Sequence, residues 1–351
     1  LHKDVTFNTI GWDSTYTGEP LSDAEMHEYI DLTLDMVFAD NITEIETKSA
    51  TILKPRVLEI GCGTGLLMYN LINRCASYVG TDLSDVVINR LAYQVYPVNG
   101  LQGADTEGKT TLYCREAINF SGFEAASFDR LMLCSVVQYF PSLGYLTQTL
   151  EQAVRVVSDG GKIVVGDVRN YALLKAYHTS IELFQAADES EISALETGVA
   201  EKSLREQELT IDPSWFLLLP ELIPAISFVE LLPKRGKLQN EMTCFRYDVV
   251  LHINSQATSV DVTWQEWSQE KPTVDAIKQQ LAQSTRNSVG WKAIRNRRVV
   301  DETRLIDWLD TGLCAVDVST IRANLTKKLA PSIEPEELIE LAGLTGWRIH
   351  F

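Results

Sequence analysis

Glu59, Gly61, Gly63, Gly65 and Asp82 are the residues whose types and spacing best suit chemistry in this chain. Glycines at alternate positions let backbone approach a ligand closely, because no Cβ stands in the way. The N–H groups that open the following helix can then face a polar ligand. Nicotinamide and flavin proteins use similar turns, but Glu59 stands just before the glycines, where a phosphate would not favour a carboxylate. Asp82 follows at the end of the next strand, about 20 residues on, where an acid can accept both hydroxyls of a ribose. This pair suits a ligand with a ribose and a cationic amine but no phosphate.

S-adenosylmethionine (SAM) is such a ligand. Leu83, beside Asp82, is assigned to the same site, and Tyr16 is placed over the methionine end. Ser135, Asp167 and Arg169 close two later strands, where Ser135 is assigned to the cofactor, and Asp167 and Arg169 would orient an acceptor, or else form a helix cap with its salt bridge. Gln138 and Tyr139 should line the cleft after the fourth strand. His178 follows the fifth strand; it would serve as a general base, or else be bonded within a helix.

These residues need a frame that delivers them to one edge. Arg56–Ile60 reads as a buried parallel strand, followed by a helix near 64–74. Strand 77–82, a helix near 85–95, strands near 110–115 and 128–134, a helix near 143–157, a turn at 159–161 and strand 162–167 continue the alternation. Such a pattern implies a doubly wound, mostly parallel Rossmann-like α/β sheet with ligands beyond the carboxyl ends of its strands. Residues 1–50 form a cap, with an ordered loop before a helix from Leu21 to Ala39 that Ser22 and Glu25 would cap. The core runs over 51–254, with a helical lid at about 170–222 and an antiparallel hairpin of 226–232 with 244–253. Residues 255–351 read as a small C-terminal subdomain with helices near 272–283, 301–310, 318–328 and 335–343.

Composition narrows the class. A formal charge of −17 argues against a nucleic-acid substrate. No apolar run has membrane length and no signal peptide is visible, so a cytoplasmic protein is expected. The start at Leu1 reads as the mark of a piece cut from a longer polypeptide. The cysteines (Cys62, Cys75, Cys114, Cys134, Cys244 and Cys314) form no CxxC pair and no cluster with histidine, so no metal is expected. Two basic stretches, Lys234–Lys237 and Arg295–Arg298, are either solvated faces or a docking site for an anionic partner.

Val57-Leu58-Glu59-Ile60-Gly61-Cys62-Gly63-Thr64-Gly65 resembles the first motif of class I SAM-dependent methyltransferases. Together with Gly11-Trp12 to Pro20, Tyr78–Asp82, Ser135–Pro141, Val165–Arg169, Asn240–Val249 and Ile333–Leu338, taken in order, it resembles the methyltransferase domains embedded in nonribosomal peptide synthetases, chiefly the N-methyltransferase type. The resemblance implies SAM as cofactor, S-adenosyl-L-homocysteine as product, and an aminoacyl thioester on the phosphopantetheine arm of a carrier protein as substrate. It also implies an adjacent adenylation domain and neither nucleic-acid nor membrane partners. The late signature brings Glu241, Arg246 and Tyr247 to position substrate or brace the cleft. One departure is Ala117-Ile118-Asn119-Phe120, where relatives carry an acidic pair before the phenylalanine. Asn119 could accept the adenine amino group through its side-chain oxygen, with Phe120 beside it.

Methyl transfer from a sulfonium is an in-line displacement that depends on positioning. An α-amine beside a thioester needs little help to lose its proton; a hydroxyl needs a positioned base. N-methylation is the leading expectation. The alternatives are O-methylation on the same scaffold and a silent module that braces the synthetase. Glu59 disfavours a nicotinamide enzyme.

Overall fold

The computed structural model describes residues 4–39, 54–96, 108–256, 262–267, 273–284, 288–311, 317–327, 331–347 and 349–351. Cys314 and the expected boundary near residue 50 lie outside the described residues.

Seven strands form the central sheet: β1 (Arg56–Ile60), β2 (Ser77–Asp82), β3 (Thr110–Cys114), β4 (Phe128–Cys134), β5 (Val157–Arg169), β6 (Ile226–Pro233) and β7 (Arg246–Ile253). Their spatial order is β3-β2-β1-β4-β5-β7-β6. All contacts from β3 to β5 are parallel, and β7 runs antiparallel to both neighbours. The fold is therefore doubly wound and mostly parallel, and the expected pairing of the last two strands is present. Strand order reverses between β1 and β4, so connections leave on opposite faces there and a crevice opens at the carboxyl ends.

Period-2 alternation sends neighbouring side chains to opposite cores. Val57, Tyr78, Met132 and Val164 pack under α1 (Asp23–Phe38), α2 (Met68–Leu71) and α3 (Asp85–Val95). Leu58, Leu131, Leu133 and Val165 pack under α4 (Leu143–Val156), α7 (Pro213–Leu217) and α8 (Leu219–Leu222). Ser22 and Glu25 close the expected capping box at the start of α1.

Two local expectations are corrected. The helix near 64–74 is reduced to the single turn α2. Gly65, at φ +83°, stops helix from starting earlier, and Asn70 donates its amide to the Leu66 carbonyl at 3.0 Å, competing with the helical ladder. Residues 159–161 are not a turn before a new strand. They form an irregularity inside β5, with Gly160 at φ +76°, where the register with β4 shifts.

The insertion after β5 is helical as expected, with α5 (Leu174–Gln185) and α6 (Ile192–Leu204) followed by α7 and α8. After α9 (Glu241–Phe245) and β7 come β8 (Thr263–Glu266), α10 (Val274–Gln283), β9 (Val289–Lys292), α11 (Val300–Thr311), α12 (Val318–Lys327) and α13 (Pro335–Thr345). Strands β8 and β9 pair in parallel, a small sheet not anticipated from sequence. Trp267, Ile277, Leu281, Ile333 and Leu341 make a core of their own. Leu305 and Ile321, by contrast, pack on Ile192 of α6, so α11 and α12 support the lid.

Candidate active site

A cleft of about 720 Å³ opens over the carboxyl ends of the central strands. Glu59, Gly61, Gly63, Ser135, Gln138, Tyr139, Arg169, His178, Glu241 and Arg246 all line it.

Two glycines do different work. Gly61 has φ +77°, and a Cβ there would stand 2.5 Å from Val136 Cγ2. At Gly63, φ +49°, the nearest atom to an added Cβ is the Gly61 carbonyl oxygen at 3.9 Å, so that side faces open cleft. Gly63 N–H donates to Asp82 Oδ2 at 2.9 Å, and Ser84 N–H donates to Asp82 Oδ1 at 2.9 Å. The loop and the acid are thus locked together, and a carboxylate retains lone pairs for further donors. Gly65 packs behind the loop, against Leu91 and Met68.

Glu59 is almost wholly buried, and Tyr78 on β2 donates its hydroxyl to Glu59 Oε2 at 2.5 Å. Burial pushes the Glu59 carboxyl up to about 7, against the opposing pull of the Tyr78 bond. Space for the Tyr78 hydroxyl exists because residue 80 is glycine: a Cβ there would come within 2.9 Å of it.

The floor under β4 and β5 is a buried polar network. Asp167 has no exposure and sits at φ +64°; Ser135 sits at φ +55°. Ser135 Oγ donates to Asp167 Oδ2 at 2.7 Å, and Arg246 Nη1 donates to the same oxygen at 2.5 Å. Lys234 binds Asp248 at 2.9 Å and lies 3.7 Å from Asp167. Burial alone would raise the Asp167 carboxyl, but the Arg246 and Lys234 charges hold it below its ordinary range. Asp167, expected to touch the acceptor, therefore lies beneath the cleft, bonded to Arg246 and Ser135.

Arg169 and His178 meet on the lid side. Arg169 binds Glu206 at 2.8 Å and Glu208 at 2.6 Å, and His178 Nε2 lies 3.4 Å from Glu206 Oε2. Burial opposes ionisation of Glu206, yet His178 and Arg169 bring its carboxyl down to about 2.

The N-terminal loop is strapped over this edge. Glu241 accepts from Thr15 N–H at 2.7 Å and from Ser14 Oγ at 3.2 Å. Tyr177 on α5 donates to Thr15 Oγ1 at 3.0 Å, and Thr64 of the glycine loop donates to the Asn8 carbonyl at 2.7 Å. Tyr16 does not line the cleft: its hydroxyl bonds Ser180 on α5 at 2.7 Å and its ring meets Phe184.

Other expected residues stand apart from the lining. Tyr247 points into the core, where its hydroxyl donates to the Ile211 carbonyl at 3.0 Å and its ring meets Phe216, so it braces the cleft rather than touching substrate. Asn119 is exposed, and its side-chain oxygen accepts from Ser121 N–H at 3.1 Å in a local turn, with a second lone pair left for another donor. Phe120 packs into the core edge-on to Phe123, and Leu83 is exposed beside Asp82.

The basic stretches are divided: Lys237, Arg295 and Arg297 are exposed, while Lys234 and Arg298 are buried. Arg235, Lys237, Arg297 and Arg298 pair with Glu336, Glu340, Glu337 and Glu334 at the start of α13. Lys234 is buried in the floor network. These pairs form a seam along α13, buried at Arg298 and exposed at Lys237 and Arg297.

Tyr29, Tyr78, Glu206, Glu208 and Asp248 were not singled out from sequence. Tyr29 lies on the buried stripe of α1 and reads as core; Glu206 and Glu208 flank a single residue after α6, which is a weak signal for a shared Arg169.

Among the described residues no group of three or more His, Cys, Asp or Glu is arranged to hold a metal, and no helix is long and apolar enough to cross a membrane. Residues 58–163 match the family model described as methyltransferase domain. Chondramide synthase cmdD of Chondromyces crocatus is 37% identical over 88% of this chain and 8% of its own length. Nonribosomal peptide synthetase TES of Alternaria alternata is 34% identical over 72% of the chain and 5% of its own length. Nonribosomal peptide synthetase asqK of Emericella nidulans is 30% identical over 97% of the chain and 13% of its own length. The chain thus spans only a small part of each curated relative. With the glycine loop, Asp82 and the seven-stranded sheet in the arrangement described above, the chain belongs to the SAM-dependent methyltransferase domains of the kind carried within nonribosomal peptide synthetases.

Proposed function

We propose that the domain methylates the α-amine of an aminoacyl group held as a thioester on the phosphopantetheine arm of a carrier protein. The observation that carries the choice of nitrogen is the ion pair facing His178. Arg169 balances Glu206, so the imidazole meets a neutralised carboxylate rather than a free one. That arrangement suits taking a proton from an α-ammonium group, whose pKa is at or below about 8. An aliphatic hydroxyl demands a far stronger base.

The cradle fits SAM. Gly63 presents an open amide face, Asp82 keeps lone pairs for ribose hydroxyls, and Glu59 offers a carboxyl poised to ionise beside a cationic amine. Bound there, SAM supplies an electrophilic methyl group on a cationic sulfur. The chain's own residues set the rest. Arg246, fixed by Asp167, keeps further N–H donors at the cleft surface for the acyl carbonyl. Gln138, with its buried Oε1 unpartnered, and the exposed Tyr139 form the acceptor wall. The strap tied to Glu241 limits water. Helices α11 and α12 brace the lid, and the synthetase supplies the neighbouring adenylation domain and carrier protein in the cytoplasm.

One observation favours O-methylation as a second reading. His178 lines the cleft with its Nε2 3.4 Å from Glu206 Oε2, and a hydroxyl acceptor, unlike an amine, cannot react without a base in place. Incubating a loaded carrier protein with the domain and SAM, then locating the added methyl by fragmentation mass spectrometry, separates the two. A methyl on nitrogen is expected; a methyl on oxygen overturns the proposal.

A further inference from the structure

Tyr29 reaches the cleft from α1, outside the sheet whose strand ends supply most of the floor, and it lines the cleft together with Ser135 and Arg246. Its hydroxyl lies 2.9 Å from Ser135 Oγ. The direction of that bond follows from proton counting. Ser135 has one hydroxyl proton, and it goes to Asp167, which is ionised beside Arg246 and has no proton to give back. Tyr29 must therefore be the donor to Ser135. Each hydroxyl has its proton directed inward along the chain Tyr29–Ser135–Asp167. What remains toward the cleft is lone pairs on the tyrosine and serine oxygens. Arg246, anchored on the same Asp167 oxygen, presents the opposite polarity: N–H groups only.

The floor is thus divided into an acceptor half and a donor half held by one buried carboxylate. An α-aminoacyl thioester has the matching pattern, with N–H donors on the amine and an acceptor oxygen on the carbonyl one carbon away. We propose that Tyr29 is a positioning residue, which by donating to Ser135 fixes the floor as the acceptor that receives the substrate α-amine beside Arg246. This inference rests on the reading of the substrate given above. It moves Ser135 from the cofactor to the acceptor side. Tyr29 stays protonated: burial raises its phenol well above the usual range, and the nearby Asp167 raises it further. The Lys234 ammonium, 4.9 Å from the ring centroid, holds the ring in place.

The test compares Tyr29→Phe with the unaltered domain on two acyl thioesters of the carrier arm, one bearing the α-amine and one identical but lacking it. Turnover gives KM for the first, and competitive inhibition gives Ki for the second. The variant should raise KM for the amine substrate about tenfold, the scale of one hydrogen bond to a charged group, and leave Ki for the des-amino analogue and Kd for SAM unchanged. Ser135→Ala should show the same split, which keeps the inference testable if one variant folds poorly. An equal rise in KM and Ki in both variants, or no rise in either, overturns it. If the unaltered domain places no methyl on nitrogen, the substrate reading itself fails, a result distinct from a nitrogen methyltransferase indifferent to Tyr29.

Discussion

Glu59 and Tyr78 meet through a 2.5 Å hydrogen bond between adjacent parallel strands, directly beneath the glycine loop. The bond lies in a buried setting that raises the carboxyl to about 7 from an ordinary value of 4.5. Because the native state holds this proton more tightly than the unfolded chain, stability contributed by Glu59 falls as pH rises from 4.5 to about 7 and is level above that. Ligand binding runs the other way, since a cationic amine favours the ionised acid. Calorimetric titration with SAM should give an affinity on the order of tenfold weaker at pH 6 than at pH 8, the ratio of ionised Glu59 between them. Glu59→Gln should flatten that dependence. Tyr78→Phe, by removing a bond that lowers the carboxyl, should move it to higher pH. An unchanged profile in Glu59→Gln would remove Glu59 from the cofactor site.

The two glycines should separate folding from binding. Gly61→Ala drives a Cβ into Val136 at 2.5 Å and also strains a positive φ, so a stability loss of about 2–4 kcal/mol is expected from overpacking plus backbone strain. Gly63→Ala has only the backbone penalty, about 1–2 kcal/mol, because its Cβ meets open cleft. That Cβ would stand where a bound ligand must approach. Urea denaturation without ligand should rank Gly61→Ala below Gly63→Ala, and SAM titration of the folded variants should show Gly63→Ala losing at least tenfold in affinity. Normal SAM binding by Gly63→Ala would place the cofactor elsewhere.

The strand, the glycines and Asp82 were legible because their relation is local: 56–82 is one strand–turn–strand unit with its own periodicity. The sheet followed from the alternation of apolar strands and helices. The floor was not legible in the same way. Asp167 and Arg246 are 79 positions apart, and their contact exists only because β7 inserts antiparallel beside β5. Tyr29 falls among Met26, Ile30, Thr33 and Leu34 on one helical face, and pattern alone cannot tell a cleft tyrosine from a core one. Asn119 shows the limit from the other side. Its residue type allows a ligand contact, but residue type alone did not show that a short polar side chain in a turn also bonds its own backbone. The basic stretches could not be divided into buried and exposed positions from sequence, because charge says nothing of the acids that α13 brings to meet it.

His178 gives a pH-dependent signature. If nitrogen is the acceptor, His178→Ala should keep turnover within about threefold at pH 9, where the substrate amine has already lost its proton (pKa at or below about 8). At pH 6.5 the ammonium dominates and turnover should drop by 10²-fold or less, the lower end of what a positioned base contributes. SAM affinity should be unchanged at both. An oxygen acceptor would instead lose turnover at every pH tested. Initial rates on carrier-bound substrate across pH 6–9 distinguish these outcomes.

Arg298 is the hinge pin of the C-terminal seam. Its guanidinium is buried, pairs with Glu334, and donates to the carbonyls of Lys234, Thr243 at 3.0 Å and Gly236 at 2.8 Å. Removing it leaves those acceptors and one carboxylate without a partner inside the protein, so Arg298→Ala should cost about 3–5 kcal/mol. Arg297, one position earlier, is half exposed and bridges Glu337 at 3.0 Å; Arg297→Ala should cost no more than about 1 kcal/mol. Because Lys234 also reaches Asp167 and Asp248, loosening its backbone by Arg298→Ala should reach the cleft floor and raise KM for the acyl substrate, while Arg297→Ala leaves it alone. Denaturant midpoints and steady-state kinetics on the two neighbours measure both effects. Equal stability losses in the two variants would mean that the seam is held by surface charge rather than by the buried guanidinium.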